Sequence, residues 1–449
     1  MRFLRFTTTI AAVLLFAFLL RAGVLWFRSE SLADDRDAYI AVAEGIVQGA
    51  GFANSQTGEP TAYRPPLYPL ALAAVFQFCS RELAIALLHL VVGTATVWLT
   101  FRIGRLLGLS NGATVAALIV AIDPLLLQYT AFPMTETVFT FLLTALLVVT
   151  THRSDGARLD RARRSQPVGF EANVRMSWRR ALAIGVIFGL CALCRPTVWA
   201  VGLLAALVWL QRLVFQKDGT VARRNWRATA LMLLGVAIVV SPWLVRNLIV
   251  LGKPIFTTTH GGYTLILGNN PVFYQEVVEK PLGTVWEDAS PERSQQAWYK
   301  QLKRDMAAEL GNDAGEAEQD RWMYRRAFKH IADDPSLFVR ASLLRFLRFW
   351  NVVPLGNARA GVPATVLWGV GAFYAVVLAG FVLGLCNLKR IEWVRWMPLL
   401  LAIAGFCLVH LLYWTDTRMR APVIPAIALI FGLGIERLQQ WLRRPPDAL

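Results

Sequence analysis

The chain has 449 residues, of which 56% are hydrophobic and only 17% are charged, and its mean hydropathy is +0.46. A soluble domain carries about 25% charged residues, and the apolar residues here fall in blocks of about 20, the length that a helix needs to cross a bilayer. The formal net charge of +16 does not indicate nucleic-acid binding, because the basic residues cluster between the apolar blocks rather than in one stripe. The composition predicts a polytopic membrane protein.

The N-terminal segment begins like a signal peptide, with Arg2 and Arg5 before an apolar run. The run is too long for a signal peptide and no convincing cleavage site follows it, so we interpret it as an uncleaved first span. Arg21 lies within this span, where its side chain can snorkel outward. We predict an all-α bundle of about ten transmembrane helices, at about residues 8–27, 83–103, 112–129, 134–151, 181–194, 197–214, 228–245, 363–386, 397–414 and 421–438.

Basic loops set the predicted orientation. The loop from Arg153 to Arg180 contains eight arginines against three acidic residues, and a second basic loop runs from Arg212 to Arg227. Such loops remain in the cytoplasm, so both chain termini are expected there too. The predicted units are an N-terminal transmembrane module (1–245) with a first external loop (28–82), an external domain (246–361) that is helical from Ser290 to Phe349, and C-terminal transmembrane helices (362–449).

This topology gathers the unusual polar residues at one membrane face. Carboxylates can act as general bases, and arginines hold phosphate through forked hydrogen bonds, so the set suits a reaction on a charged lipid headgroup. The residues at the outer ends of the spans are Asp34, Asp35, Asp37, Arg64, Glu136, Arg195, Arg246, Asp416, Arg418 and Arg420.

Each of these residues also has a structural interpretation. An external aspartate is often simply solvated, and Glu136 could be a first-turn acid that interacts favourably with the helix dipole. Arg195 could snorkel to the interface. Cys191 and Cys194 form a CxxC within an apolar helix without a second ligand pair, so we expect small buried residues rather than a metal or redox site.

Six segments occur in an order that is typical of a known group: DDRDAYIAVAEGIVQGAGF, TAYRPPLYPLALA, PMTETVF, CRPTVWA, SPWLVRNLIVLGKPIFTTTHGGYTLILGNNP and DTRMRAPVIPAIAL. With these segments the chain resembles bacterial membrane glycosyltransferases of the protein-mannosyltransferase-like group (family 39), relatives of the aminoarabinose–lipid A transferases within the GT-C superfamily. The resemblance covers nearly the whole chain. It implies a polyprenyl-phosphate-linked sugar donor and transfer to a lipid, glycan or protein acceptor at the periplasmic face of a bacterial inner membrane.

The resemblance also implies a catalytic aspartate in the first external loop, spaced as Asp-x-x-x-Tyr before an apolar helix. Asp35 and Tyr39 have this spacing, so Asp35 inherits the role of the general base that activates the acceptor, and Asp37 is the nearest alternative. Relatives often carry an acid directly after the catalytic aspartate, where this chain has Arg36. The choice among Asp34, Asp35 and Asp37 therefore stays open.

Further positions follow from the same resemblance. Glu136 matches a second acidic position near the site, and Tyr39 is expected to bind substrate. The positions that match basic residues near the lipid phosphate or the external loops are Arg64, Arg195, Arg246 and Arg418.

The expected reaction is a single displacement at the anomeric carbon, which would invert its configuration. Clustered aspartates could also hold Mg²⁺ or Mn²⁺ through oxygen ligands. The alternative functions are a lipid or polyprenyl-linked substrate transporter and a non-enzymatic assembly scaffold. A transporter would place ionisable groups near the bilayer midplane on broken helices of repeated halves, whereas here the charges gather at one face and no repeat is evident.

Overall fold

The computed structural model describes residues 2–151, 176–214, 219–359, 361–389 and 392–443, which form helices joined by loops. The predicted basic loop at 153–180 therefore lies mostly outside the described residues. The α-helices of the first half are α1 (Arg2–Phe27), α2 (Tyr39–Val47), α3 (Leu67–Phe76), α4 (Arg81–Leu106), α5 (Asn111–Ile122), α6 (Pro124–Thr130), α7 (Thr135–Thr151), α8 (Trp178–Cys194), α9 (Val198–Val214) and α10 (Gly219–Leu251).

The second half begins with the predicted external region and ends with three long apolar helices. Its longer α-helices are α11 (Gly261–Gly268), α12 (Gln295–Leu310), α13 (Glu316–Asp333), α14 (Pro335–Phe349), α15 (Ala364–Cys386), α16 (Trp393–Leu412) and α17 (Ile424–Leu442). Shorter helical turns lie at Ser29–Ala33, Pro271–Phe273, Tyr274–Val278, Trp286–Asp288, Pro291–Arg293, Gly356–Arg359 and Thr417–Val423.

All ten predicted spans coincide with helices, and the third coincides with the pair α5 and α6. Among the described residues, six helices are long and apolar enough to cross a membrane, and the count is seven if this bent pair forms one span. The helices α7, α8 and α9 occupy predicted spans but have 17 residues each, which is near the lower limit for crossing a bilayer. The chain is an all-helical, multi-pass membrane protein.

A bend of 49° separates α5 from α6, and Pro124 explains it. Proline has no N–H, so the carbonyl of Val120, four residues earlier, loses its helical partner. The Arg21 guanidinium donates to this carbonyl at 3.0 Å and to the carbonyl of Ala121 at 3.2 Å. The expectation that Arg21 snorkels outward is therefore wrong: its side chain is buried because it satisfies the backbone groups at the bend.

The helix α17 lies at the centre of the bundle, with 78% of its apolar window buried, and it packs against α5 and α15. Glycines allow these close approaches. A Cβ on Gly112 would lie 2.4 Å from the carbonyl oxygen of Gly432, and a Cβ on Gly384 would lie 1.9 Å from that of Ile430. Small residues at helix contacts are typical of membrane bundles, where backbone proximity contributes packing energy.

The region after α10 has its own apolar core, as a separate external unit would require. Trp286, Trp298 and Trp322 are buried in it among residues from α11, α12 and α13. The helical stretch predicted at 290–349 is confirmed as α12 to α14. Arg345 on α14 attaches this unit to the bundle, because its guanidinium donates to the carbonyl of Leu411 at 2.6 Å.

Candidate active site

The loop predicted to be the first external one (28–82) makes a strained turn immediately before α2. Ala38 has a φ of 58°, in the left-handed region that costs a residue with a Cβ about 1–2 kcal/mol. The Asp35 carboxylate stabilises the turn by accepting hydrogen bonds from the backbone N–H groups of Ile40 at 3.0 Å and Ala41 at 2.9 Å. These amides belong to the first turn of α2 and have no helical partner. Both oxygens of Asp35 are therefore engaged by the backbone.

Asp37 lies in a different environment, facing Arg64. Its Oδ1 accepts a hydrogen bond from Arg64 Nη2 at 2.9 Å, and the two side chains are 25% and 17% exposed. The Arg64 guanidinium also lies over the rings of Tyr39 and Tyr63, at 5.6 and 5.2 Å from their centroids. Cation–π contacts of this kind hold the arginine in place and leave Asp37 oriented but still accessible.

Asp34 is more exposed than Asp37. It pairs with Arg36 at 2.7 Å, and the two side chains are 41% and 56% exposed. An ion pair in water contributes little, typically 0–1 kcal/mol, so nothing in this arrangement prepares Asp34 for chemistry. The Arg36 guanidinium lies 4.4 Å from the centroid of the Phe132 ring.

Glu136 lies in the first turn of α7 and contacts two arginines from separate elements. Its Oε1 lies 3.2 Å from Arg195 Nη1 and 4.0 Å from Arg418 Nε, and its side chain is 2% exposed. Arg418 also lies 3.6 Å from Asp416. The second oxygen, Oε2, is buried and has no hydrogen-bond partner among the described residues. A carboxyl group at a buried position needs polar partners, and here Glu136 holds the two arginine side chains close together.

Tyr39 lies between these two ion pairs. Burial raises the pKa of its phenol, and the charges of Arg64, Asp37, Glu136 and Arg195 all act on it. The structure thus brings four predicted site residues together around the buried ring of a fifth, Tyr39.

A cavity of about 1230 Å³ opens beside this cluster. Arg418 belongs to both, because it lines the cavity and lies 4.0 Å from Glu136. One wall is apolar and comes from α1, with Leu20, Val24 and Phe27. The α15 side chains Val366, Leu367 and Val370 also line the cavity. The charged residues that line it are Arg28, Arg36, Glu287, Arg348, Asp416, Arg418 and Arg420. A cavity lined by apolar side chains and by five arginines suits an anionic lipid.

Arg246, predicted to lie near the lipid phosphate or the external loops, is engaged by the loop backbone. Its guanidinium donates to the carbonyls of Phe52 at 2.6 Å and Thr61 at 2.8 Å, and it lies over the Trp243 ring at 5.0 Å. Arg246 is not among the residues that line the cavity. It anchors the first external loop to the end of α10.

Two contacts of this loop have no signal in the sequence. Glu316, at the start of α13, accepts hydrogen bonds from Thr61 and from the backbone N–H of Ala62 at 3.0 Å, which connects the external unit to the loop. His260 packs edge-on against Tyr63, with 4.5 Å between ring centroids. Burial, reinforced by the Arg64 charge, lowers the pKa of His260 to about 3, so the imidazole is neutral at pH 7.

The predicted divalent cation finds no common set of oxygens. Among the described residues, no group of three or more His, Cys, Asp or Glu side chains is placed to hold a metal ion. Asp34, Asp35 and Asp37 face an arginine, two backbone amides and a second arginine respectively. The three carboxylates therefore do not direct their oxygens at one common metal position.

The fold is similar to that of solved membrane glycosyltransferases. The oligosaccharyltransferase of Archaeoglobus fulgidus in its apo form superimposes with a TM-score of 0.51 and 15% identity, over 97% of this chain and 51% of that chain. The same enzyme tethered to an acceptor peptide containing the NVT sequon gives 0.51 and 15%, over 96% and 50%. ArnT from Cupriavidus metallidurans, bound to undecaprenyl phosphate, gives 0.41 and 12%, over 98% and 81%.

The likeness to the oligosaccharyltransferase shows the fold alone: the chain has a similar all-helical, polytopic architecture. The chain spans about half the length of the oligosaccharyltransferase chains that it matches. No family model matches the sequence, and no curated protein matches it significantly.

Proposed function

We propose that this protein is a glycosyltransferase that takes a sugar from a polyprenyl-phosphate donor and passes it to a lipid, glycan or protein acceptor. The observation that carries the proposal is the cavity between α1 and α15, which is lined by apolar side chains together with five arginines and meets the carboxylate cluster through Arg418. An isoprenoid chain fits the apolar lining, and its phosphate fits the arginines. The fold shared with an oligosaccharyltransferase supports the same reaction class.

Asp37 is the carboxylate that we assign as general base, with Asp35 as the second candidate. Both oxygens of Asp35 accept backbone N–H groups, and protonating it would break the bonds that hold the start of α2. Asp37 is held by one arginine and is partly exposed, so an acceptor hydroxyl can approach it. A positioned base of this kind contributes about 10²- to 10⁴-fold to the rate.

The leaving group in this reaction is the lipid phosphate, on which negative charge accumulates. Arg418 lines the cavity and lies 4.0 Å from Glu136, which also holds Arg195. Fixed cations near a developing charge lower the barrier without reorganising during the reaction. One displacement, with the base on the side of the sugar opposite the phosphate, would invert the anomeric carbon.

The reaction is proposed to occur at the periplasmic face of a bacterial inner membrane, with both chain termini in the cytoplasm. The cluster lies at the ends of α7 and α8 that are remote from the basic segment at 153–180. Because basic loops stay in the cytoplasm, the site belongs on the opposite side.

A transporter of lipid-linked sugars is the alternative. The two functions separate in proteoliposomes that contain the protein and undecaprenyl phosphate carrying a radiolabelled sugar. A transferase releases the sugar from the lipid and passes it to an acceptor, while a transporter changes only the leaflet in which the intact lipid resides. Movement of intact lipid without any sugar release would eliminate the transferase proposal.

A further inference from the structure

Two deeply buried arginines line the cavity and have no assigned role. Arg348 ends α14, and Arg420 lies in the turn before α17; they are 8% and 1% exposed. Arg420 donates from Nη1 to the carbonyls of Phe349 at 3.1 Å and Asn351 at 3.0 Å. Arg348 donates from Nη2 to the carbonyl of Thr284 at 2.8 Å. Each guanidinium is thus held in place by the backbone, and Arg420 contacts the segment that directly follows Arg348.

Each arginine also keeps one buried N–H without a partner. Arg348 Nε and Arg420 Nη2 make no hydrogen bond to any described residue. An unpaired buried donor typically costs about 1–3 kcal/mol, and more for a charged group. Two such donors on arginines that line the same cavity indicate a site suited to an acceptor that carries negative charge.

The charges around the cavity also favour a negatively charged ligand. Five arginines line it, against the two carboxylates Glu287 and Asp416, which leaves an excess of three positive charges among the described lining residues. Glu287 and Asp416 both act on Arg348, and Asp123 acts on Arg420. Burial nevertheless lowers the pKa of Arg348, so these carboxylates do not offset its desolvation. A bound anion would offset this excess of positive charge.

We propose that Arg348 and Arg420 together bind the phosphate of a polyprenyl-phosphate carrier whose isoprenoid chain lies along α1 and α15. The inference rests on the proposed function and deepens it. Guanidinium groups bind phosphate through forked hydrogen bonds, and here each group already has one side fixed by carbonyls. The apolar side chains of α1 and α15 would cover the first isoprene units.

The arginines predicted from the sequence are less suited to this role. Arg64 is paired with Asp37, Arg195 with Glu136, and neither lines the cavity. Arg418 lies at the junction, in contact with Glu136 and with the cavity. A phosphate held by Arg348 and Arg420 would therefore direct its sugar past Arg418 toward the carboxylate cluster.

The test measures binding to the full-length protein in nanodiscs by native mass spectrometry. Three probes are titrated: undecaprenyl phosphate, the uncharged alcohol undecaprenol, and inorganic phosphate. Arg348→Gln and Arg420→Gln remove the charge but keep an amide donor for the carbonyl contacts. Arg326→Gln is the matched control, because Arg326 pairs with Asp305 and Glu309 in the external unit and does not line the cavity.

The proposal predicts that wild type binds undecaprenyl phosphate at least tenfold more tightly than undecaprenol or inorganic phosphate. Each cavity variant should lose at least tenfold in affinity for the lipid phosphate while affinity for the alcohol stays within twofold, and the control should match wild type. Equal wild-type affinity for lipid phosphate and alcohol overturns the proposal even if the variants fail to fold. If wild type binds inorganic phosphate as tightly as undecaprenyl phosphate, the assignment of a lipid as the source of the bound phosphate is overturned.

Failure of this inference is distinguishable from failure of the proposed function. Wild type that binds no undecaprenyl phosphate and transfers no sugar overturns both. Wild type that transfers sugar, with cavity variants that bind the lipid phosphate normally, overturns only the assignment of Arg348 and Arg420. An equal loss of alcohol and lipid phosphate in the variants shows a structural role for the pair and also overturns the assignment.

Discussion

Replacing Arg21 by methionine tests how the bend between α5 and α6 is stabilised. The change keeps most of the apolar stem and removes two interhelical hydrogen bonds, to the carbonyls of Val120 and Ala121. Such bonds inside membranes contribute about 0.6 kcal/mol each on average and about 1.7 kcal/mol at most. Two bonds therefore predict a loss of about 1–3 kcal/mol in the free energy of unfolding.

The assay is reversible unfolding by SDS in mixed micelles, followed by circular dichroism. Arg28→Met makes the same substitution at an exposed position just beyond α1 and should cost less than about 0.5 kcal/mol. In a Pro124→Ala background the chain regains an N–H for the Val120 carbonyl, so the cost of Arg21→Met should shrink. An Arg21→Met cost equal to that of the exposed control would refute this explanation of the bend.

Three further predictions concern the site and the external unit. Glu136→Gln should lower the free energy of unfolding by about 1–2 kcal/mol, because its hydrogen bonds to the arginines become weaker. A double-mutant cycle with Arg195→Gln should give a coupling energy of about 0.5–3 kcal/mol. Additive effects of the two substitutions would contradict the ion pair. Glu316→Gln should speed hydrogen exchange in segment 52–64 and leave α17 unchanged, whereas unchanged exchange in the segment would reject the link. Burial raises the pKa of Asp320 to about 6, so the native state holds that proton more tightly than the unfolded state does. Stability should therefore fall as the pH rises from about 4 to 6. Asp320→Asn should flatten this pH dependence of the melting temperature, and an identical dependence in the variant would disprove the assignment.

The helices could be predicted from the sequence because the length and apolar composition of each segment are local properties. All ten predicted spans coincide with helices, including the terminal α1 and α17. The burial of Arg21 was not predictable from its position, since its partners are the carbonyls of Val120 and Ala121, about 100 residues away, and Pro124 deprives the first of them of its helical bond. Cys191 and Cys194 are buried as expected, because small apolar side chains in a helix pack regardless of their exact partners.

The candidate site was partly predictable. Sequence segments identify which charged groups lie at the same helix ends, and the structure places Asp37, Glu136 and Arg195 around Tyr39. Spacing to Tyr39 cannot show which aspartate is accessible, because that depends on the turn at Ala38 and on which backbone amides a carboxylate accepts.

Contacts between residues that are distant in sequence could not be predicted either. The contact of Arg246 with the first external loop depends on how α10 packs beside that loop, about 185 residues earlier in the chain. Arg348 was missed because it lies in a charged helix where one arginine among many carries no signal. Its place in the cavity lining distinguishes it from Arg345 of the same helix, which is also buried but does not line the cavity.

The most direct test of the account is sugar release from undecaprenyl-phosphate donors in proteoliposomes, compared between wild type, Asp37→Asn and Asp35→Asn. With Asp37 as general base, Asp37→Asn should transfer sugar at least about 100-fold more slowly while its melting temperature stays close to that of wild type. Asp35→Asn should lose activity together with stability, because it loosens the start of α2. Wild-type turnover by Asp37→Asn, or a stable but inactive Asp35→Asn, would contradict the assignment of the base to Asp37.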